Sequence, residues 1–269
     1  MRGCLVLALL LATCCCCCGA RAGGTSYHLV TYATRHYRPK AERLAASALA
    51  VGGFDTARVY GPEDMDSLWT ERNAHVLRQP RGAGYWIYKP YVLLFHMTQV
   101  ARPGDVVLYM DAAYEFRAPL LDLLDAWLAP PPHIALVRNK PDESTHAEVE
   151  WSKRDAYVLM NTAQNASRDD LQLWAGFVGV ANTFLGLQFV SAWLTYAQDE
   201  RIVTDVPSAF GPEHALFVEN RHDQTVCSLL AKKWQLPLHV LPSGPIYNHH
   251  LFGEPKRKSF ANRLLDRVG

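Results

Sequence analysis

The pattern of apolar and polar positions changes period along the chain, and the changes outline alternating strands and helices. Residues 27–31 (YHLVT) form a short β-rich run, and 38–51 (RPKAERLAASALAV) are alanine-rich with Pro39 near the start, which predicts strand then helix. Gly52-Gly53 ends that helix, 54–60 (FDTARVY) reads as a second strand, and Gly61-Pro62 breaks it. Strand, helix and strand at this spacing make the βαβ unit of a parallel sheet. Tyr91, Leu94, Phe95, Thr98 and Val100 then recur at roughly helical spacing. Pro90 suits a first turn and Pro103-Gly104 a stop, so a helix is predicted over 90–101. It leads into a strand over 105–110 (DVVLYM), an apolar run of the kind buried on both faces of a parallel sheet.

The alternation continues. Residues 120–128 (LLDLLDAWL) predict a helix closed by the prolines at 130–132, and 133–137 (HIALV) another strand. Stretches 138–170 and 199–220 are polar and read as loops, the first carrying an inserted subregion above the sheet. Between them, 174–180 (WAGFVGV) predicts a strand whose glycines serve either close approach of a ligand or tight packing. Asn182 is expected to cap a helix over 183–198. His222-Asp223-Gln224 open the apolar run 225–234, and 237–241 (PLHVL) reads as a last short strand. The expected fold class is therefore α/β: a single Rossmann-like domain over 23–269 with a mostly parallel central sheet flanked by helices.

Composition bounds this reading. The chain has 269 residues, 49% of them hydrophobic, enough to bury a substantial core in one domain. Arg2, the apolar run 5–18 and the small-x-small Ala20-Arg21-Ala22 make 1–22 a signal peptide. Its apolar run is shorter than the roughly 20 residues that span a bilayer, so cleavage after Ala22 is expected. Left uncleaved, the segment is a signal-anchor and a route to membrane association. Six of the seven cysteines, at 4 and 14–18, leave with it, so Cys227 has no internal disulfide partner and stability must come from the core. Losing Arg2 and Arg21 leaves 25 basic side chains against 26 acidic ones, a balance that gives no support to nucleic-acid binding. The sequon Asn165-Ala166-Ser167 agrees with the secretory pathway, in the Golgi or ER lumen or after secretion. Neither H-E-x-x-H nor G-x-S-x-G occurs, so zinc-peptidase and serine-hydrolase chemistry lose their usual signatures.

Four positions carry chemistry of one kind. Asp111 follows the strand 105–110 directly, and in open α/β sheets ligands bind outside the carboxyl ends of strands. The plainer alternative is a turn-forming aspartate. A diphosphate held by a divalent cation needs hard oxygens, tolerates an imidazole, and gains from a lysine and open backbone N–H groups. Asp111, His250, Lys256 and Gly253 offer these in turn, although His250 alone reads equally as a solvated side chain and Lys256 as part of a basic tail with Arg257 and Lys258. Asp223 reads equally as a helix-start carboxylate stabilised by the dipole.

The order of these residues resembles a known family. Lys89 in WIYKPY, Asp111 in YMDAA, the pair Asp223-Gln224 and the closing His250-Leu251-Phe252-Gly253-Glu254-Pro255-Lys256 are similar to the GT-A fold nucleotide-sugar glycosyltransferases of the glycogenin, galactinol-synthase and bacterial galactosyltransferase group. In that group a helix with a basic residue precedes a strand ending in D-x-D, and H-x-x-G-x-x-K follows near the carboxyl end. The resemblance covers about 27–256. It implies that Asp111 and His250 bind Mn²⁺ or another divalent cation, that Lys89, Gly253 and Lys256 address the nucleotide diphosphate, and that Asp223 and Gln224 face the sugar. The implied activity is metal-assisted, retaining transfer of a sugar from a nucleotide-diphosphate sugar to a hydroxyl of a glycan, protein or small-molecule acceptor. Two departures stand out: the D-x-D motif is Asp111-Ala112-Ala113, with Glu115 or water as the replacement ligand, and the Pro-Trp that often follows the lysine is absent. The missing acid at Ala113 supports the alternative, a secreted carbohydrate- or nucleotide-sugar-binding protein of the same fold without activity.

Overall fold

A computed structural model describes residues 24–138, 147–163, 170–242 and 244–248. The expected signal segment, the sequon, and His250, Gly253 and Lys256 lie outside the described residues. Eight strands follow in chain order: β1 (Tyr27–Tyr32), β2 (Thr56–Tyr60), β3 (Val106–Met110), β4 (Tyr114–Phe116), β5 (Ile134–Arg138), β6 (Leu173–Ala181), β7 (Leu238–His239) and β8 (Ile246–Asn248). Six form one sheet in the order β2-β1-β3-β6-β5-β7, and β4 pairs with β8 in a separate ribbon. β1 is parallel to β2 and β3, and β5 to β7, while β6 runs antiparallel to both β3 and β5. Five strands thus point one way around one reversed strand, the mostly parallel α/β sheet expected from the sequence.

Side chains on a strand alternate between faces, and β3 shows how this builds two cores. Val107 and Tyr109 join the apolar layer under the helices Tyr88–Gln99, Phe184–Ala197 and Asp223–Lys233. Val106, Leu108 and Met110 join the opposite layer with Leu44, Leu121 and Leu124. By the same alternation Asp111 leaves the strand on the side of Tyr109, toward the helix that carries Lys89.

Most predicted elements end within a few residues of their observed bounds. The helix predicted over 90–101 runs from Tyr88 to Gln99, so Lys89 lies inside its first turn. The alanine-rich helix is α-helical over Arg38–Ser47 and closes in a wider π turn, Ala48–Gly52, with Gly53 at φ 88°. Asn182 is not the cap of the next helix. Thr183 caps it, its Oγ1 accepting from the Gly186 N–H at 3.2 Å. Asn182 instead donates to the carbonyls of Met97, Ala101 and Arg102 at 2.8–3.1 Å, tying β6 to the end of the 88–99 helix. That long-range demand outweighs the local capping preference.

Candidate active site

Three elements bring three charges together. Lys89 is 4% exposed, and its Nζ lies 3.1 Å from Asp111 Oδ1 at the end of β3 and 3.4 Å from Asp223 Oδ2 in the first turn of the 223–233 helix. The same ammonium reaches the Ala175 carbonyl on β6 at 3.5 Å. Tyr109 donates its hydroxyl to Asp111 Oδ1 at 3.1 Å. Asp223 is 2% exposed, and the Trp193 indole donates to its backbone carbonyl at 3.0 Å. The chain enters this helix through His222, whose φ of 58° turns the backbone sharply. The His222 ring donates from Nδ1 to the Val203 carbonyl at 2.6 Å and stacks on Trp86.

One ammonium cannot neutralise two carboxylates, and burial decides which one yields. Burial pushes the Asp223 carboxyl up to about 7, with the Asp111 charge adding to the rise and Lys89 opposing it. Burial alone would lower Lys89, but Asp111 and Asp223 outweigh it and the lysine is held above its ordinary value. The Tyr88 and Tyr109 phenols are raised well above theirs, by burial first and then by the two carboxylates, so both remain neutral donors.

β6 completes the floor. The Ala175 N–H donates to Gln224 Oε1 at 3.2 Å, and the Gln224 amide donates to Gln172 Oε1 at 2.7 Å. The Asp111 N–H donates to the Gly176 carbonyl at 3.0 Å. A Cβ on Gly176 would stand 2.6 Å from Asp111 Oδ2 and 2.2 Å from the Trp174 indole nitrogen, distances no side chain tolerates. Gly179, by contrast, packs against Leu124 and Ala135. Of the two glycine readings open in the sequence, tight packing holds at both positions: Gly176 lets the Trp174 and Asp111 side chains close over β6 at the site, and Gly179 packs on the opposite layer.

Above this floor lies a cleft of about 450 Å³, outside the carboxyl ends of β1 and β3. Tyr32, Trp86, Tyr88, Tyr109, Asp111 and Ala113 are among its walls. Residues 82–86 wind left-handed, with φ between 51° and 94°, to bring Trp86 to the rim. Three of them, Ala83, Tyr85 and Trp86, carry side chains, and such conformations cost of order 1–3 kcal/mol each and concentrate at functional sites.

No protein-family model matches the chain, and no curated protein does. Solved structures similar to it include mouse xyloside xylosyltransferase 1 in its apo form, 11% identical over 81% of this chain and 84% of that one, with a TM-score of 0.42. The galactosyltransferase LgtC, in complex with donor and acceptor sugar analogues, is 12% identical over 89% and 94% at 0.44. The bifunctional glycosyltransferase WbbM is 16% identical over 77% of this chain and 38% of that one at 0.46. All three are glycosyltransferases by name. At such identities and TM-scores, function has to be read from the side chains of the site itself.

Of the residues singled out in the sequence, the structure brings Lys89, Asp111, Asp223 and Gln224 together, whereas His250, Gly253 and Lys256 lie outside the described residues. Asp111 supplies one hard oxygen donor group, and no group of three or more His, Cys, Asp or Glu side chains able to hold a metal occurs among the described residues. Among the described residues the ligand set for a divalent cation such as Mn²⁺, which takes about six ligands, is incomplete. Glu115, the alternative acid, sits on β4 in ion pairs with Arg117 at 3.0 Å and Arg43 at 3.8 Å. The sequence reading passed over Tyr109, Trp86 and Gln172, because nothing in local pattern distinguishes a site tyrosine from a core one.

Proposed function

We propose that this protein is a glycosyltransferase that moves a sugar from a nucleotide-diphosphate sugar to an acceptor hydroxyl. The observation that carries the reading is the buried ammonium of Lys89 held between Asp111 and Asp223 beneath an aromatic-walled cleft. A buried charge triad is costly, and this one stands at the carboxyl end of β3, where ligands bind in open α/β sheets. Asp111 has its carboxylate at the cleft wall, where it would meet the diphosphate end of the donor. Asp223, sealed beneath, acts as a positioning residue that holds Lys89. Gln224, half-buried one position further on, is the polar group beside the sugar, and reaction on that side is the retaining course implied by the resemblance.

The cleft wall is acidic at Asp111, so a diphosphate settling there needs a cation between the two. A divalent cation, when bound, supplies that charge. Its remaining ligands would come from His250 and the diphosphate itself. Titration calorimetry should therefore show little Mn²⁺ binding to the protein alone and strong binding with a nucleoside diphosphate, and Asp111→Ala should abolish the coupling. Strong nucleotide-free binding would remove the argument.

The function itself is tested by incubating the protein with a panel of nucleotide sugars and Mn²⁺ and following nucleoside-diphosphate release. Turnover lost in Lys89→Met is expected. Saturable nucleotide-sugar binding without release would favour the non-catalytic alternative, for which Ala113 in place of a second acid is the specific observation.

A further inference from the structure

We propose that Glu148 is a positioning residue that, with the Ala175 N–H at the far end, fixes the orientation of the Gln172 and Gln224 carboxamides beside the sugar; this rests on the placement of Gln224 given above. Glu148 is fully buried on the short helix Glu148–Trp151, and nothing in the sequence pointed to it. Its carboxylate meets four donors. Ser152 and Gln172 (3.1 Å) donate to Oε1, and Ser228 and Lys232 (2.8 Å) to Oε2. Surrounded in this way it can only accept.

An acceptor at that point sets the polarity of everything beyond it. Gln172, also fully buried, must turn its NH₂ toward Glu148, a sense reinforced by the Trp151 carbonyl at 3.3 Å from the same nitrogen. Its Oε1 then faces Gln224, which must answer with its own NH₂ at 2.7 Å. The Gln224 carbonyl oxygen is left to face the Ala175 N–H at 3.2 Å. Carboxamide orientation is a property of the network rather than of the residue. A chain of three side chains thus carries the acceptor character of Glu148 to the reaction side.

Lys232 makes the idea testable. In Glu148→Gln the ammonium of Lys232 claims the new carbonyl oxygen, so the new NH₂ is turned toward Gln172. Gln172 is then driven to invert against the Trp151 carbonyl, and Gln224, held by the Ala175 N–H, meets a reversed partner. In Gln224→Glu an acceptor-only group meets the Gln172 oxygen and the contact is repulsive, but only while Glu148 holds Gln172 in place.

The experiment is a thermal-stability cycle over the full chain: the parent, Glu148→Gln, Gln224→Glu and the double variant. Gln224→Glu should lower Tm by several degrees in the parent and by clearly less in the Glu148→Gln background. Equal losses in the two backgrounds overturn the proposal. The readout does not depend on glycosyl transfer, so failure of the functional reading is recognised separately, by absence of nucleotide-sugar turnover in the parent. Where turnover is present, Glu148→Gln should reduce kcat by ~10²-fold with nucleotide affinity unchanged; equal effects on both overturn a positioning role. Should Glu148→Gln fail to fold, side-chain amide NMR of the parent decides. Gln224 NH₂ protons contacting Gln172 support the relay, and Gln224 NH₂ protons against the Ala175 amide overturn it.

Discussion

Asp223 shows at the scale of one residue how burial converts a common side chain into a titrating one. Its carboxyl titrates at about 7 in the folded protein against 3.8 ordinarily, because its surroundings exclude water and Lys89 is shared with Asp111. The folded state therefore binds a proton that the unfolded state releases between about pH 4 and pH 7. Stability falls as pH rises through that window, by up to ~4 kcal/mol. Asp223→Asn removes the titration, so the variant should gain Tm relative to the parent between pH 4 and pH 7. Parallel Tm-against-pH curves for the two proteins would refute the assignment. The sequence shows an aspartate at a helix start and nothing more, since the pKa depends on what three distant segments place around it.

At the scale of elements, β6 is the strand on which the site is hung. Reversed between two parallel neighbours, it offers Ala175 N–H to Gln224, Ala175 C=O to Lys89 and the Gly176 carbonyl to Asp111. Its two glycines should part company when substituted. Gly176→Ala pushes a methyl into Asp111 and Trp174, and should cost ~10²-fold in turnover through misplacement of the carboxylate. Gly179→Ala meets Leu124 at 2.9 Å, away from the site, and should lower stability by about 1–3 kcal/mol while turnover per folded molecule holds. Steady-state kinetics beside thermal melts separate the two, and matching losses of both kinds in both variants would contradict the division. The direction of β6 was not legible beforehand, because an apolar run reads the same in either sense. β4 was missed for a related reason: three residues are too few to show a period, and they become a strand only by pairing with β8.

For the whole molecule, the amino-terminal segment is open to a direct check. We propose cleavage after Ala22: intact-mass analysis of the protein expressed in a secreting cell should give a chain beginning at Gly23, and a mass that includes Met1 would favour an anchor. Among the described residues no helix is long and apolar enough to cross a membrane. What the sequence determined by itself was everything carried by local repetition. The alternation of β-rich and helical runs, punctuated by Gly52-Gly53, Gly61-Pro62 and Pro103-Gly104, already specifies an α/β sheet with Asp111 at a strand end. Tertiary structure alone decided which charges meet. Lys89, Asp111 and Asp223 are separated by 22 and 112 positions in the chain, and no pattern links them until helix 88–99, β3 and helix 223–233 pack on one face of the sheet. The chain from Glu148 through Gln172 to Gln224 is likewise invisible in one dimension. Hydrogen-bond polarity passes through space, and only a folded interior from which water is excluded makes it binding.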